Sequence, residues 1–157
     1  MLLDGINHVG MLTNDTARLV QFYEEVFEAK VSHVEQMGDQ GTLTLIDIGP
    51  RTELNVFELT GNVEAQKQVP MFGRGRLDHI GLQAASKAAF DEIRRRLMAR
   101  GATDGFVTDF GRSLSLFFRD PDGLEGEVLL WLSHDGPAHP PGTPAAGYEP
   151  AIQPEAP

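Results

Sequence analysis

A short pattern occurs twice in this chain. Ile6-Asn7-His8-Val9-Gly10-Met11-Leu12 and Leu77-Asp78-His79-Ile80-Gly81-Leu82 both read polar, His, β-branched, Gly, apolar, and their histidines stand 71 residues apart. A fixed offset with matching content marks an internal repeat. The segments C-terminal to the two histidines also match. Asn14-Asp15-Thr16 forms a helix N-cap cluster, and Leu19, Phe22, Tyr23, Val26 and Phe27 keep the rhythm of an amphipathic helix. After His79, Ser86 can cap a second helix, Phe90, Ile93 and Leu97 supply its stripe, and Gly101 stops it. Leu19 and Phe90 each lie 11 residues beyond their histidine.

Strand-like segments come after each helix: Lys30–Gln36, Thr42–Ile48 and Glu53–Thr60 in the first half, Asp104–Asp109, Leu114–Arg119 and Glu125–Leu132 in the second. The Asp120-Pro121-Asp122-Gly123 sequence predicts a tight turn before the last of them. Each half therefore reads βαβββ, and the fold class is α+β: two βαβββ modules pairing mixed sheets around a cleft. The expected boundaries are a first module at 1–62, a linker at 63–75, a second module at 76–133 and a Pro-rich tail at 134–157. The linker is expected to run over the surface. The tail holds seven of the chain's ten prolines and no Lys or Arg, and is expected to be extended, or packed on the domain or a partner subunit.

Composition narrows the chemistry. Thirteen basic against 23 acidic residues leave a formal charge of −10 over 157 residues, which disfavours nucleic acid as a partner. The absence of cysteine excludes disulfides, thiolate ligands and cysteine nucleophiles. No apolar run approaches the roughly 20 residues of a membrane-spanning helix, and Met1-Leu2-Leu3-Asp4 lacks the features of a secretory signal. The expectation is a cytoplasmic protein without membrane contact.

Any transition-metal site must then use His, Glu, Asp or water. His8 and His79 occupy equivalent first-strand positions. Glu58 lies 50 residues after His8 and Glu127 lies 48 after His79. A carboxylate between Phe57 and Leu59 is costly unless paired or bound to a cation. Two imidazoles and two carboxylates suit a divalent ion: Zn, Ni, Fe, Mn or Co. Glu125, His33, His134 and His139 read as solvated or tail residues, the Arg94-Arg95-Arg96 run as a solvated helix face, and Phe22, Tyr23, Phe90 and Trp131 as core.

From Leu3 to Leu132 the chain resembles the vicinal oxygen chelate superfamily, which includes glyoxalase I, methylmalonyl-CoA epimerase, extradiol dioxygenases, fosfomycin-resistance enzymes and bleomycin-resistance proteins. The resemblance rests on Asn7-His8-Val9-Gly10, Phe22-Tyr23, Phe57-Glu58-Leu59-Thr60, Asp78-His79-Ile80-Gly81 and Asp120-Pro121-Asp122-Gly123 with Glu127. It implies a metal held by His8, Glu58, His79 and Glu127, selects Glu127 over Glu125, and looks most like glyoxalase I. The implied function is metal-dependent proton transfer (isomerase, lyase or epimerase) on a small substrate chelated through adjacent oxygens. In that scheme Glu58 and Glu127 are the catalytic bases, with Leu54, Val56 and Phe117 as desolvating walls. The alternatives are a non-haem iron extradiol dioxygenase using His8, His79 and Glu127, and a non-catalytic small-molecule (antibiotic) binding protein. A homodimer is implied by analogy, its modules pairing within a chain or across the two-fold. Arg18, Arg51, Arg74, Arg76 and Arg112 are candidate anchors for an anionic substrate group.

Overall fold

The computed structural model describes Leu2, residues 5–133 and residues 135–148. The chain divides into two compact units, Met1–Gln68 and Val69–Pro157, each built on a four-stranded mixed sheet.

The first unit runs β1 (His8–Thr13), α1 (Thr16–Phe27), β2 (Lys30–Gln36), β3 (Gly41–Gly49) and β4 (Thr52–Leu59). Its sheet order is β1-β4-β3-β2, with β1 parallel to β4 and the other pairs antiparallel. Asp15 caps α1, its carboxylate accepting from the Arg18 N–H at 2.9 Å. The predicted stripe is the buried one, with Leu19, Tyr23 and Val26 fully buried and Phe22 nearly so. Leu54, Val56 and Ile46 complete that core. Strand alternation therefore assigns one face of the sheet to the helix and leaves the other open. Val9, Met11, Thr13, Leu54, Val56 and Glu58 share the helix-side parity; His8, Gly10, Leu12, Glu53, Asn55 and Phe57 share the open one.

The second unit repeats the plan with β5 (Ile80–Gln83), α2 (Lys87–Ala99), β6 (Val107–Asp109), β7 (Ser113–Arg119) and β8 (Glu125–Trp131), in the order β5-β8-β7-β6. Ser86 caps α2 by accepting from the Ala89 N–H at 3.1 Å. Phe90, Leu97, Val107, Leu116 and Val128 form its fully buried core. Two segments differ from expectation. The strand predicted over 104–109 shortens to Val107–Asp109, because Asp104 turns back to accept from the Phe106 N–H and Gly105 takes a positive φ of 77°. Trp131, expected in the core, is about half exposed, since β8 ends there on the open-face parity.

The link between the units does not run free. Its second part belongs to the second unit, where Arg74 donates to the Asp78 carbonyl and to the Glu125 carboxylate. The described part of the tail also packs there. Asp109 N–H donates to the Thr143 carbonyl at 2.8 Å and Ala145 N–H to the Val107 carbonyl at 2.9 Å, so the chain lies along the otherwise free edge of β6. Tyr148 then reaches α2, donating its hydroxyl to Asp91 at 2.5 Å and setting its ring edge-on to Phe90. Residues 149–157 and His134 lie outside the described residues. No helix among the described residues is long and apolar enough to cross a membrane.

Candidate functional site

The two repeat histidines are held alike. His8 Nδ1 lies 2.8 Å from the Asn7 amide oxygen, and His79 Nδ1 lies 2.8 Å from a carboxylate oxygen of Asp78. In each case an acceptor one residue earlier takes the Nδ1 proton. That contact selects the tautomer whose Nε2 carries the lone pair, the form a metal-binding imidazole needs. Hydrogen bonding from His79, first among its causes, lowers the Asp78 carboxyl below the ordinary carboxylate range.

In the second unit the histidine and its glutamate converge. Gly81 pairs with Glu127 across β5 and β8, putting Glu127 on the open face two steps past His79. Glu127 Oε2 stands 3.6 Å from His79 Nε2. Its other oxygen accepts from the Ser115 hydroxyl, which is 1% exposed. Phe117 pairs with Glu127 across β7 and β8 and sets its ring edge-on to His79, centroids 6.0 Å apart. A nitrogen lone pair and a carboxylate oxygen thus face one space, buttressed by a serine on one side and an aromatic ring on the other.

In the first unit the register separates His8 from Glu58. His8 pairs with Glu53 and Thr13 pairs with Glu58, so the two residues stand at opposite ends of the β1–β4 ladder. At about 3.3 Å per residue that is some 16 Å along the strands. Glu58 also has the helix-side parity, and its carboxylate accepts from the Thr16 N–H in the first turn of α1 at 2.8 Å. Its charge is answered by a helix N-terminus. Leu54 and Val56, expected as cleft walls, lie on the same helix side with zero exposure. Of the three expected walls only Phe117 is on an open face.

The register instead singles out Asn55, a residue that no sequence motif marks. Gly10 pairs with Asn55 as Gly81 pairs with Glu127, each glycine two residues past its histidine. Asn55 is therefore the first unit's counterpart of Glu127, and Glu58 matches the buried Leu130 by the same offset. The Asn55 Oδ1 is buried without a hydrogen-bond partner. Counting residues from each histidine obscures this, because the loops between β1 and β4 and between β5 and β8 differ in length. Within neither unit, among the described residues, do three or more His, Asp or Glu side chains form one cluster.

Several of the remaining candidates have structural partners. Glu125, expected to be solvated, accepts from the Met71 N–H and is paired with Arg119 and Arg74; Met71 and then Arg119 hold its carboxyl below the usual range. Arg74 is committed to this clamp, and Arg112 donates to the Gly136 carbonyl. Arg95 and Arg96 pair with Glu92 on the surface of α2, drawing its carboxyl down to about 2. His33 sits on the exposed β2, and His139 lies 3.3 Å from Asp109.

Two mixed sheets of this topology, each with an Asx-His pair at the start of its first strand, define a class of protein. Residues 5–128 match the family described as the Glyoxalase/Bleomycin resistance protein/Dioxygenase superfamily, and the chain belongs to it. No curated protein matches the chain. Solved structures share the fold. A glyoxylase/bleomycin resistance protein/dioxygenase domain from Frankia sp. EAN1pec is 23% identical with a TM-score of 0.68, covering 84% of this chain and 95% of that one. Oxidase ChaP-H2 is 20% identical with a TM-score of 0.61, covering 85% and 98%. Lactoylglutathione lyase from Agrobacterium tumefaciens is 25% identical with a TM-score of 0.54, covering 83% and 96%.

Proposed function

We propose that this chain is a metal-dependent enzyme that binds a small substrate through two adjacent oxygens, its divalent ion held by His8, His79 and Glu127. The observation that carries the reading is the pairing of His79 Nε2 with Glu127 Oε2 at 3.6 Å, together with the matching Nδ1 contacts of both histidines. Two imidazoles and one carboxylate suit Fe, Mn, Co, Ni or Zn and leave positions for substrate oxygens. When bound, the ion supplies Lewis acidity, and iron(II) adds redox chemistry with dioxygen. The residues supply the rest. Asp78 and Asn7 orient the imidazoles, Ser115 fixes one oxygen of Glu127, and Phe117 sets its ring edge-on to His79.

The side of β4 on which Glu58 lies bears on the reaction class. Proton transfer shared between Glu58 and Glu127 needs both carboxylates on the open faces, and Glu58 caps α1 instead. The three-residue set fits the oxidative, dioxygenase-type alternative without a further carboxylate. A second reading keeps proton transfer with Glu127 as the single base. In it Ser115 holds one carboxylate oxygen of Glu127, and Oε2 would leave the ion in order to take the proton. Pairing of the half-sites within the chain, or across the two-fold of a homodimer, belongs to either reading.

The test begins with elemental analysis of protein purified without added metal. A stoichiometric divalent ion that His79→Ala and Glu127→Ala each lose is expected. Retention of the ion by both variants would overturn the reading. With iron bound, oxygen uptake on a catechol supports the oxidative class. Exchange of a substrate α-proton with solvent in the absence of oxygen supports the single-base class.

A further inference from the structure

We infer that Arg74 is a positioning residue for the half-site of the second unit: its guanidinium fastens Asp78 to Glu125 and so sets the approach of His79 Nε2 to Glu127 Oε2. The segment 69–78 is then a working part of the site and not a spacer. The inference rests on the metal-centre reading above and adds a residue to it; every group it uses belongs to the second unit.

The two units begin their parallel ladders differently. In the first, His8 opens β1 opposite Glu53, and the Glu53 N–H donates to the Asn7 carbonyl at 3.1 Å. In the second, the first pair is Ile80 with Gly126, so His79 and Glu125 stand one step before it. The offset that matches Gly81–Glu127 with Gly10–Asn55 matches Asp78 with Asn7 and Glu125 with Glu53. The Asp78 carbonyl accepts from Arg74 Nη1 at 3.3 Å, and the same nitrogen donates to the Glu125 carbonyl at 3.4 Å. Arg74 Nη2 donates to Glu125 Oε2 at 3.2 Å. A planar guanidinium with several fixed donors can bridge two segments in this way. It carries the joining of β5 and β8 across the step that bears His79.

The rest of the segment serves the same grip. Arg74 Nε donates to the Val69 carbonyl, and the Met71 N–H donates to Glu125 Oε2 at 2.5 Å. The Phe72 N–H donates to the Asp78 carboxylate oxygen that His79 does not use. Phe72 holds a φ of 68°, a left-handed conformation that a bulky residue keeps only when its surroundings impose it. The Arg74–Glu125 pair is largely withdrawn from water, with 9% and 15% of the side chains exposed. Glu125 lies two residues before Glu127 on β8 and shares its face. One side chain therefore grips the residue that orients His79 and the strand that carries Glu127.

The experiment uses the full chain in two states. Without metal, the 15N chemical shifts of the His79 imidazole report its tautomer. With cobalt(II), the visible spectrum reports affinity and coordination independently of turnover. Arg74→Met keeps the length of the side chain and removes its donors. It is expected to move the imidazole from the Nδ1–H form toward a mixture of tautomers and to weaken cobalt binding about tenfold, the scale of a lost supporting contact behind a metal ligand. Arg119→Met takes the other arginine from Glu125 without touching Asp78, and is expected to leave both readouts unchanged. Arg74→Lys keeps the charge but cannot span the same acceptors. It is expected to shift the imidazole likewise and to lose cobalt affinity severalfold, and it serves if the methionine variant does not fold. Native imidazole shifts or native cobalt affinity in the Arg74 variants would each overturn the inference, and so would an equal change in Arg119→Met. If His79→Ala and Glu127→Ala bind cobalt as the native chain does, the metal-centre reading fails instead, and the imidazole shifts alone decide the role of Arg74.

Discussion

Glu58 and Asn55 lie three residues apart on one strand, and alternation sends them to opposite faces. The apolar flanks of Glu58 do signal a carboxylate that needs a partner, and the partner is the backbone N–H of Thr16. Such an acceptor at a helix N-terminus stabilises by about 1 kcal/mol. Glu58→Ala is therefore expected to lower stability by that amount in urea unfolding and to leave the affinity for cobalt unchanged. A loss of cobalt affinity matching that of His79→Ala would restore Glu58 to the metal. The histidines are legible in the sequence because a repeat preserves position. The matching ligand place is not, because it depends on which residue of β4 stands beside Gly10, and that register is set by the whole ladder.

At the scale of elements, the turn joining β7 to β8 carries its own titration. Asp120 accepts from the Asp122 and Leu124 N–H groups, each at 2.9 Å, through Oδ1, while Oδ2 is buried without a partner. Burial pushes its carboxyl from 3.8 to about 6. A folded-state value above the unfolded one means that the native chain prefers the protonated form. The stabilisation from this group is complete below about pH 4 and is lost as pH rises through about 6. Asp120→Asn keeps an acceptor oxygen for both N–H groups and removes the titration. It is expected to raise stability at pH 7.5 by on the order of 1–3 kcal/mol and to change it little at pH 4. Urea unfolding at the two values checks this, and an equal effect at both would contradict it. The turn itself is readable from Asp-Pro-Asp-Gly; the buried state of its first carboxylate is not, because that requires the neighbouring strands. A glycine shows the same limit. Gly41 opens β3 with a φ of 126°, and a Cβ there would lie 2.0 Å from the Glu58 carbonyl oxygen. Gly41→Ala is expected to destabilise the first unit by roughly 2 kcal/mol or more, through strain and displacement of β4, with a matching fall in thermal midpoint.

For the molecule as a whole, the tail is readable as extended from its prolines, and its described part is extended, but its destination is not readable. Thr143 and Ala145 bond along β6, and Tyr148 clasps α2 through Asp91, with Lys87 and Arg94 near the ring. Burial first, then the hydrogen bond to Asp91, raises the Tyr148 hydroxyl above its ordinary value. Tyr148→Phe is expected to cost about 1 kcal/mol in the second unit, measured by hydrogen exchange at β6 and α2. No change in protection at those segments would show that the clasp contributes nothing.

The amino-acid order alone determined the two-fold plan of the chain, the caps and stripes of both helices, the turn before β8 and the pair of Asx-backed histidines. These are local patterns, expressed by residues near one another in sequence. Only the tertiary structure decided that Asn55 takes the face of β4 that His8 shares while Glu58 meets a helix terminus, that Glu125 is clamped by arginines, and that the tail covers a strand edge. Each of those depends on strand register and on side chains brought together across long loops, where shifting a pairing by one residue exchanges the two faces of a sheet.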